Sequence, residues 1–125
     1  MDPLIIKKTE ETPSVILDKG KGIFQLSETS YPEDAKRFYV PILDWIEKYF
    51  QSPNPETVFE FNLSYFNTSS AKMITKILNI LKEHTADTKL TIKWYYEADD
   101  TDMQKSGIRY SQLSGMEFEI IELNE

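Results

Sequence analysis

Hydrophobic and polar residues alternate along two long stretches of the chain, and this spacing predicts β-strands. Residues 57–66 and 89–96 follow a two-residue period, which puts successive side chains on opposite faces of a strand. Two shorter segments, 14–18 and 22–27, flank a glycine-containing turn and predict a β-hairpin, and residues 117–122 predict a last strand. The residues expected to face inward are Phe59, Phe61, Leu63 and Tyr65 in the first long strand and Leu90, Ile92, Trp94 and Tyr96 in the second.

Hydrophobic residues recur at intervals of three and four positions between these strands, which predicts amphipathic helices. The first helix is expected to begin at a capping box at 30–33, to kink at Pro41 and to end near Phe50. The second follows residues 67–70, and the third spans approximately 99–113. The buried stripes are expected at Ala35, Phe38, Ile42, Trp45, Ile46 and Tyr49 in the first helix and at Ala71, Ile74, Ile77, Leu78 and Leu81 in the second.

The predicted elements follow the order β-β-α-β-α-β-α-β within a single α/β domain of residues 1–125. Helix-length connections between strands favour a mixed, mostly parallel sheet of about five strands. Because the strands alternate rather than being hydrophobic throughout, helices are expected on one face of the sheet only, giving a two-layer domain. Residues 1–12 are expected to form a flexible N-terminal segment.

The composition excludes several classes of protein. The chain has no cysteine, so it contains no disulfide scaffold, thiolate nucleophile or cysteine-based metal site. Its 14 basic and 21 acidic residues give a net charge of −7, opposite to the charge that binds nucleic acid or an anionic membrane. The start of the chain does not match a signal peptide, and no segment approaches the roughly 20 apolar residues of a membrane span. We therefore expect a cytoplasmic protein with no nucleic-acid or membrane partner.

Sequence motifs for catalysis are missing. The only histidine, His84, lies near the end of the second predicted helix, where it would interact favourably with the helix dipole. The 4 glycines form no phosphate-binding loop, and there is no Gly-x-Ser-x-Gly elbow. The acidic run 97–102 lacks the glycine and glutamate of an EF-hand, whereas Asp99 and Asp100 suit a helix N-terminus. No enzyme activity, cofactor or metal site is therefore predicted.

Hydroxyl side chains cluster where the second helix begins. The unpaired N–H groups of a helix N-terminus attract anions, yet this first turn has no acidic residue, and Lys72 lies one turn beyond Thr68. A phosphoryl group on Thr68 would add about −1.5 to −2 charges at this favourable position. The simpler interpretation is that Asn67, Thr68 or Ser69 acts as the helix N-cap. The residues leave both interpretations open.

The stretch from Phe61 to Lys72 (FNLSYFNTSSAK) resembles the signature of the SiaC-like regulatory phosphoproteins. These are small bacterial proteins related in fold to STAS domains, the family of anti-sigma-factor antagonists. The similarity extends to residues 30–33, 41–47 and 94–103. It covers most of the chain from Pro13 onward, so a STAS-like fold is expected.

The resemblance implies a phosphorylation switch at Thr68. A dedicated kinase would phosphorylate Thr68, and a PP2C-type phosphatase would remove the phosphate. The unphosphorylated form would bind and activate a partner such as a diguanylate cyclase, raising cyclic di-GMP. Burial of a phosphate in the contact would abolish binding. The predicted partner surface consists of Asn67, Thr68, Ser69, Ser70 and Lys72. The alternative is a constitutive protein-interaction domain in which Thr68 is a structural N-cap.

Overall fold

A computed structural model of the protein describes residues 1–123 as six strands and three helices. The strands are β1 (Leu4–Ile6), β2 (Ser14–Asp18), β3 (Ile23–Ser30), β4 (Glu56–Phe66), β5 (Lys89–Glu97) and β6 (Phe118–Leu123). The helices are α1 (Ala35–Tyr49), α2 (Thr68–Glu83) and α3 (Thr101–Ser114). The element order agrees with the prediction from strand β2 onward, and the α/β class is confirmed.

The six strands form one sheet in sequence order. Strands β1, β2 and β3 are antiparallel to one another, whereas β3 to β6 run parallel and are joined by the three helices. The predicted count of about five strands is therefore one too low. The additional strand is β1, which lies within the first twelve residues, where the hydrophobic pattern is too short to predict a strand, and which pairs with β2. Trp45 of α1 holds this end of the chain, because its Nε1 donates to the Asp2 carbonyl at 2.8 Å.

All three helices contribute to one hydrophobic core on one face of the sheet. Alternate residues of the central strands are buried in this core, as the two-residue period predicted. Phe24 of β3 contacts Trp45 and Tyr49 of α1, while Trp94 of β5 contacts Tyr110 of α3. Helix α2 lies between the other two and buries Ile74, Ile77, Leu78 and Leu81. The opposite face carries polar side chains, and Tyr95 donates there to Glu60 Oε2 at 2.8 Å.

A β-bulge interrupts β4 shortly before the second helix. Glu28 of β3 pairs with Leu63 but the next residue pairs with Tyr65, so Ser64 is the extra residue. The bulge reverses the alternation, and Phe66 rather than Tyr65 packs inward, against Trp94. Tyr65 is 53% exposed, so its predicted inward orientation is wrong. The physical reason is that one inserted residue shifts every later side chain to the other face.

Helix α1 starts later than its predicted capping box. The N-cap is Asp34, whose Oδ1 accepts from the Arg37 N–H at 3.1 Å. Ser30 is the buried last residue of β3, so the predicted capping role of Ser30 with Glu33 is wrong. Pro41 lies within a helix assigned continuously from Ala35 to Tyr49, and the kink at that position stays a prediction.

Two helix ends agree with their sequence signals. Asp100 is the N-cap of α3 and accepts from the Met103 N–H at 3.0 Å, as expected for the acidic run. His84 caps the C-terminal end of α2, stacks on Phe50 with ring centroids 4.5 Å apart, and contacts Asp87 Oδ2 through Nδ1 at 2.7 Å. None of the helices in residues 1–123 is long and apolar enough to cross a membrane.

Candidate functional site

The start of α2 is organised by Asn67, the last residue before the helix. Its backbone is extended (φ −85°, ψ 178°), and its Oδ1 accepts a hydrogen bond from the Ser70 N–H at 2.8 Å. Its own N–H donates to the Ser30 carbonyl at 3.1 Å, and its carbonyl accepts from the Ala71 N–H at 2.9 Å. Asn67 is therefore the N-cap, and it ties the helix start to the carboxyl end of β3.

Thr68 occupies the first position of α2, directly after the cap. The alternative in which Thr68 is the structural N-cap is therefore wrong, because the Asn67 amide already fills that role. The Thr68 side chain is exposed, and its hydroxyl has no hydrogen-bond partner within residues 1–123. Ser69 follows it and is exposed as well. The Thr68 hydroxyl is therefore accessible, and the hydrogen bonds of Asn67 fix the backbone that carries it.

Ser70 lies on the buried side of the same helical turn and is fully inaccessible to solvent. Its inclusion in the predicted partner surface is wrong, because a helix turn that exposes Thr68 and Ser69 directs Ser70 toward the sheet. Ser30 Oγ donates to Ser70 Oγ at 2.8 Å and lies 2.6 Å from the Tyr39 hydroxyl. This buried triad joins β3, α1 and α2 beneath Thr68. No local sequence signal indicates it, since its members are far apart along the chain.

The Tyr39 hydroxyl stays protonated at neutral pH. Burial raises the pKa of Tyr39 to about 12, although its hydrogen bonds with Ser30 and Ser70 partly oppose this effect. Because Ser30 donates its proton to Ser70, Tyr39 donates to Ser30. Burial also raises the pKa of Tyr110, whose hydroxyl reaches the Ala71 carbonyl at 3.4 Å. These neutral donors support the helix start without placing charge beneath it.

An open groove of about 780 Å³ separates the first turns of α1 and α2. Ser69 and Lys72 line it on one side, and residues 33–37 line it on the other. Three cations border the groove, namely Lys72, Lys36 and Arg37. Their side chains form no ion pair with any other residue that the structure describes. Lys72 is exposed and follows Thr68 by one helical turn, as predicted, so the two side chains lie on the same side of α2.

Because Asn67 is the cap, substitutions at Asn67 and Thr68 are expected to have different effects on the free energy of unfolding. Asn67→Ala is expected to lower the free energy of unfolding by about 1 kcal/mol, because the Ser70 N–H loses its acceptor. Thr68→Ala is expected to stay within about 0.5 kcal/mol of wild type, because the Thr68 hydroxyl forms no hydrogen bond within residues 1–123. Urea denaturation followed by tryptophan fluorescence measures both values. An equal loss in the two variants would contradict Asn67 as the cap.

The rest of the described chain offers no competing chemical site. Residues 1–123 contain no group of three or more histidine, cysteine, aspartate or glutamate side chains that could hold a metal ion. His84 is engaged by Phe50 and Asp87 at the far end of α2. The fold and the exposed threonine therefore define a small two-layer α/β domain that presents a hydroxyl at the start of a helix.

The family model for SiaC family regulatory phosphoproteins matches residues 6–123. The chain thus belongs to the SiaC family, which confirms the resemblance carried by Phe61–Lys72. A curated but uncharacterized protein of Pseudomonas aeruginosa is 30% identical over 98 residues, which cover 78% of each chain.

Solved structures agree with this assignment. SiaC of Pseudomonas aeruginosa matches with a TM-score of 0.87 and 25% identity, over 98% of this chain and 100% of that chain. This chain is also similar to a crystal structure from the same organism, that of diguanylate cyclase SiaD in complex with its activator SiaC. That match has a TM-score of 0.89 and 25% identity, and it covers 96% of this chain and 99% of the other.

Proposed function

We propose that this protein is a phosphorylation-switched binding protein that controls a diguanylate cyclase, with Thr68 as the modified residue. A partner kinase phosphorylates Thr68, and a PP2C-type phosphatase reverses the modification. The observation that carries the proposal is the exposed Thr68 hydroxyl at the first position of α2, which forms no hydrogen bond with any residue that the structure describes. It occurs in a member of a family of regulatory phosphoproteins.

The cyclase partner is supported by the similar SiaC protein, which activates diguanylate cyclase SiaD and binds it in a crystal. By this analogy the unphosphorylated chain binds a cyclase and activates it. The contact surface that we propose consists of Asn67, Thr68, Ser69 and Lys72 together with the exposed side of α2. Ser70 is left out because it is buried.

Phosphate on Thr68 is compatible with the fold. The group would lie at the positive end of the α2 dipole, near the N–H groups that intrahelical bonding leaves free. Lys72, one turn along the helix, supplies a nearby cation. The cap and the buried triad bond through atoms other than the Thr68 hydroxyl, so modification leaves these hydrogen bonds intact.

The same phosphate opposes partner binding. It adds about −1.5 to −2 charges to a surface that must lose its water when a partner docks. Burying such a charge without a matching cation costs several kcal/mol, and each loss of about 1.4 kcal/mol weakens binding tenfold. A micromolar complex would therefore dissociate. The switch acts through desolvation at the contact, with no change of fold.

The protein acts in this proposal as a regulator and not as an enzyme, and it works in the cytoplasm with its kinase, phosphatase and cyclase. The competing function is constitutive protein binding, in which Thr68 is an unmodified surface residue. That function uses the same partner surface but requires no kinase. Whether Thr68 is phosphorylated in the host therefore distinguishes the two functions.

Mass-spectrometric mapping of phosphorylation sites on protein isolated from its host tests the proposal. Phosphate is expected on Thr68 and is expected to accumulate in a strain that lacks the neighbouring PP2C-type phosphatase. A Thr68→Ala strain is the control for site assignment, and exposed Ser69 is the adjacent hydroxyl that must be distinguished from Thr68. Absence of phosphate in both strains, with the protein folded and abundant, would favour constitutive binding.

A further inference from the structure

The bulge in β4 lies opposite a residue of β3 that has a strained backbone conformation. Glu28, opposite the bulge, has φ +76° and is the only residue other than glycine with positive φ among those described. Ser64 Oγ donates to the Glu28 carbonyl at 3.1 Å, and Thr29 Oγ1 lies 3.0 Å from Ser64 Oγ. Bulges near functional sites often redirect a side chain, and strained residues concentrate at such sites.

The side chain that this bulge redirects is Tyr65. Its ring is 53% exposed and contacts the ring of Tyr31 edge-on, with centroids 6.0 Å apart. Neither hydroxyl has a hydrogen-bond partner within residues 1–123. Tyr31 and Tyr65 thus form an aromatic pair at the surface, where a large hydrophobic area and two free hydroxyls are available to another molecule.

The aromatic pair is continuous with the Thr68 site. Tyr65 lies near the end of β4 and precedes Thr68 by three positions. Tyr31 directly follows Ser30, whose carbonyl accepts the Asn67 N–H. One backbone hydrogen bond therefore joins the residue before Tyr31 to the residue before Thr68, and both rings lie near the carboxyl ends of β3 and β4, where α2 begins.

We infer that Tyr65, supported by Tyr31, is the aromatic anchor through which this protein binds the diguanylate cyclase that Thr68 controls. The inference rests on the proposed function, because it takes the same cyclase as the partner. Tyrosine is enriched among the residues that dominate binding energy at protein interfaces. The division of roles is that Tyr65 supplies affinity, whereas Thr68 supplies control.

The test is a binding titration with the purified cyclase of the same host, using unphosphorylated protein. Tyr65→Ala is expected to weaken binding about tenfold or more, which is the range for an interface anchor. Tyr65→Phe retains the ring and is expected to lose less. Leu113→Ala is the matched control, because Leu113 is 76% exposed on α3, away from the site. Thermal unfolding of each variant checks that the fold is retained, as expected for exposed positions.

Including Thr68→Asp in the same titration separates the two proposals. Weaker binding by both Tyr65→Ala and Thr68→Asp, with Leu113→Ala unchanged, supports both of them. Weaker binding by Thr68→Asp with Tyr65→Ala unchanged overturns the anchor and leaves the switch standing. The reverse result supports the anchor and overturns the switch. Wild-type protein that does not bind the cyclase overturns both, because the assumed partner would be wrong.

Discussion

Thr68→Asp is expected to weaken binding to the cyclase about 100-fold while the protein remains folded, because a desolvated carboxylate costs several kcal/mol. In the free protein the same carboxylate lies at the positive end of α2 and one turn from Lys72, so the free energy of unfolding should rise by about 0.3–1 kcal/mol. A titration against the purified cyclase and a urea denaturation curve measure the two effects. Their opposite signs distinguish a local charge effect from general damage.

Thr68→Asn is the matched control, since it has the shape of aspartate without the charge. It is expected to bind within about threefold of wild type, which corresponds to less than 1 kcal/mol. Thr68→Ala should behave similarly, because the hydroxyl makes no hydrogen bond in the part of the chain that the structure describes. If Thr68→Asp binds as tightly as Thr68→Asn, charge at position 68 does not control the contact, and the switch is refuted.

Gly107→Ala is expected to destabilise the protein by about 2 kcal/mol, although alanine favours helices by about 1 kcal/mol over glycine. A Cβ at Gly107 would lie 2.4 Å from Trp94 Cδ1 and 2.7 Å from Trp94 Cγ. The indole has little room to move, because it is 1% exposed and its Nε1 donates to the Met103 carbonyl at 3.0 Å. Helix α3 must therefore shift outward. Thermal or urea unfolding measures the loss.

Ser106→Ala is the control for Gly107→Ala because it adds the same residue to the neighbouring position of α3. Its free energy of unfolding should change by no more than about 0.5 kcal/mol. A stabilising Gly107→Ala would mean that α3 does not approach Trp94 closely enough to exclude a Cβ at position 107. A displaced Trp94 would also disturb the candidate site, because Trp94 contacts Phe66, the residue before the Asn67 cap.

The periodicity of the sequence predicted the parallel strands and all three helices, because each depends on residues close together in the chain. Alternation in 57–66 and 89–96 identified β4 and β5. The stripe of Ile74, Ile77, Leu78 and Leu81 identified the buried side of α2. Strand β1 escaped prediction because three residues carry too little pattern, and its pairing with β2 is what stabilises it.

The candidate site was predicted only in part. The location of the site at Asn67–Lys72 and the exposure of Thr68 and Ser69 follow from a strand that ends where a helix begins. The sequence did not decide which of Asn67, Thr68 and Ser69 is the cap, because all three residue types are favoured at the N-cap. The backbone angles of the folded chain decided it. The position of Ser70 depended on Ser30 and Tyr39, which approach it only after β3 and α1 have packed.

Local order therefore follows from the amino-acid sequence: the element types, the buried stripes of the helices, the hairpin, and a hydroxyl-rich helix start with Thr68 in it. Long-range packing decided which of those hydroxyls is free. The pairing of β3 with β4 introduced the bulge that turned Tyr65 outward, and the burial of Ser30 removed it from the capping role predicted for it. Such outcomes depend on contacts between residues distant in the chain, whose free energies outweigh local preference.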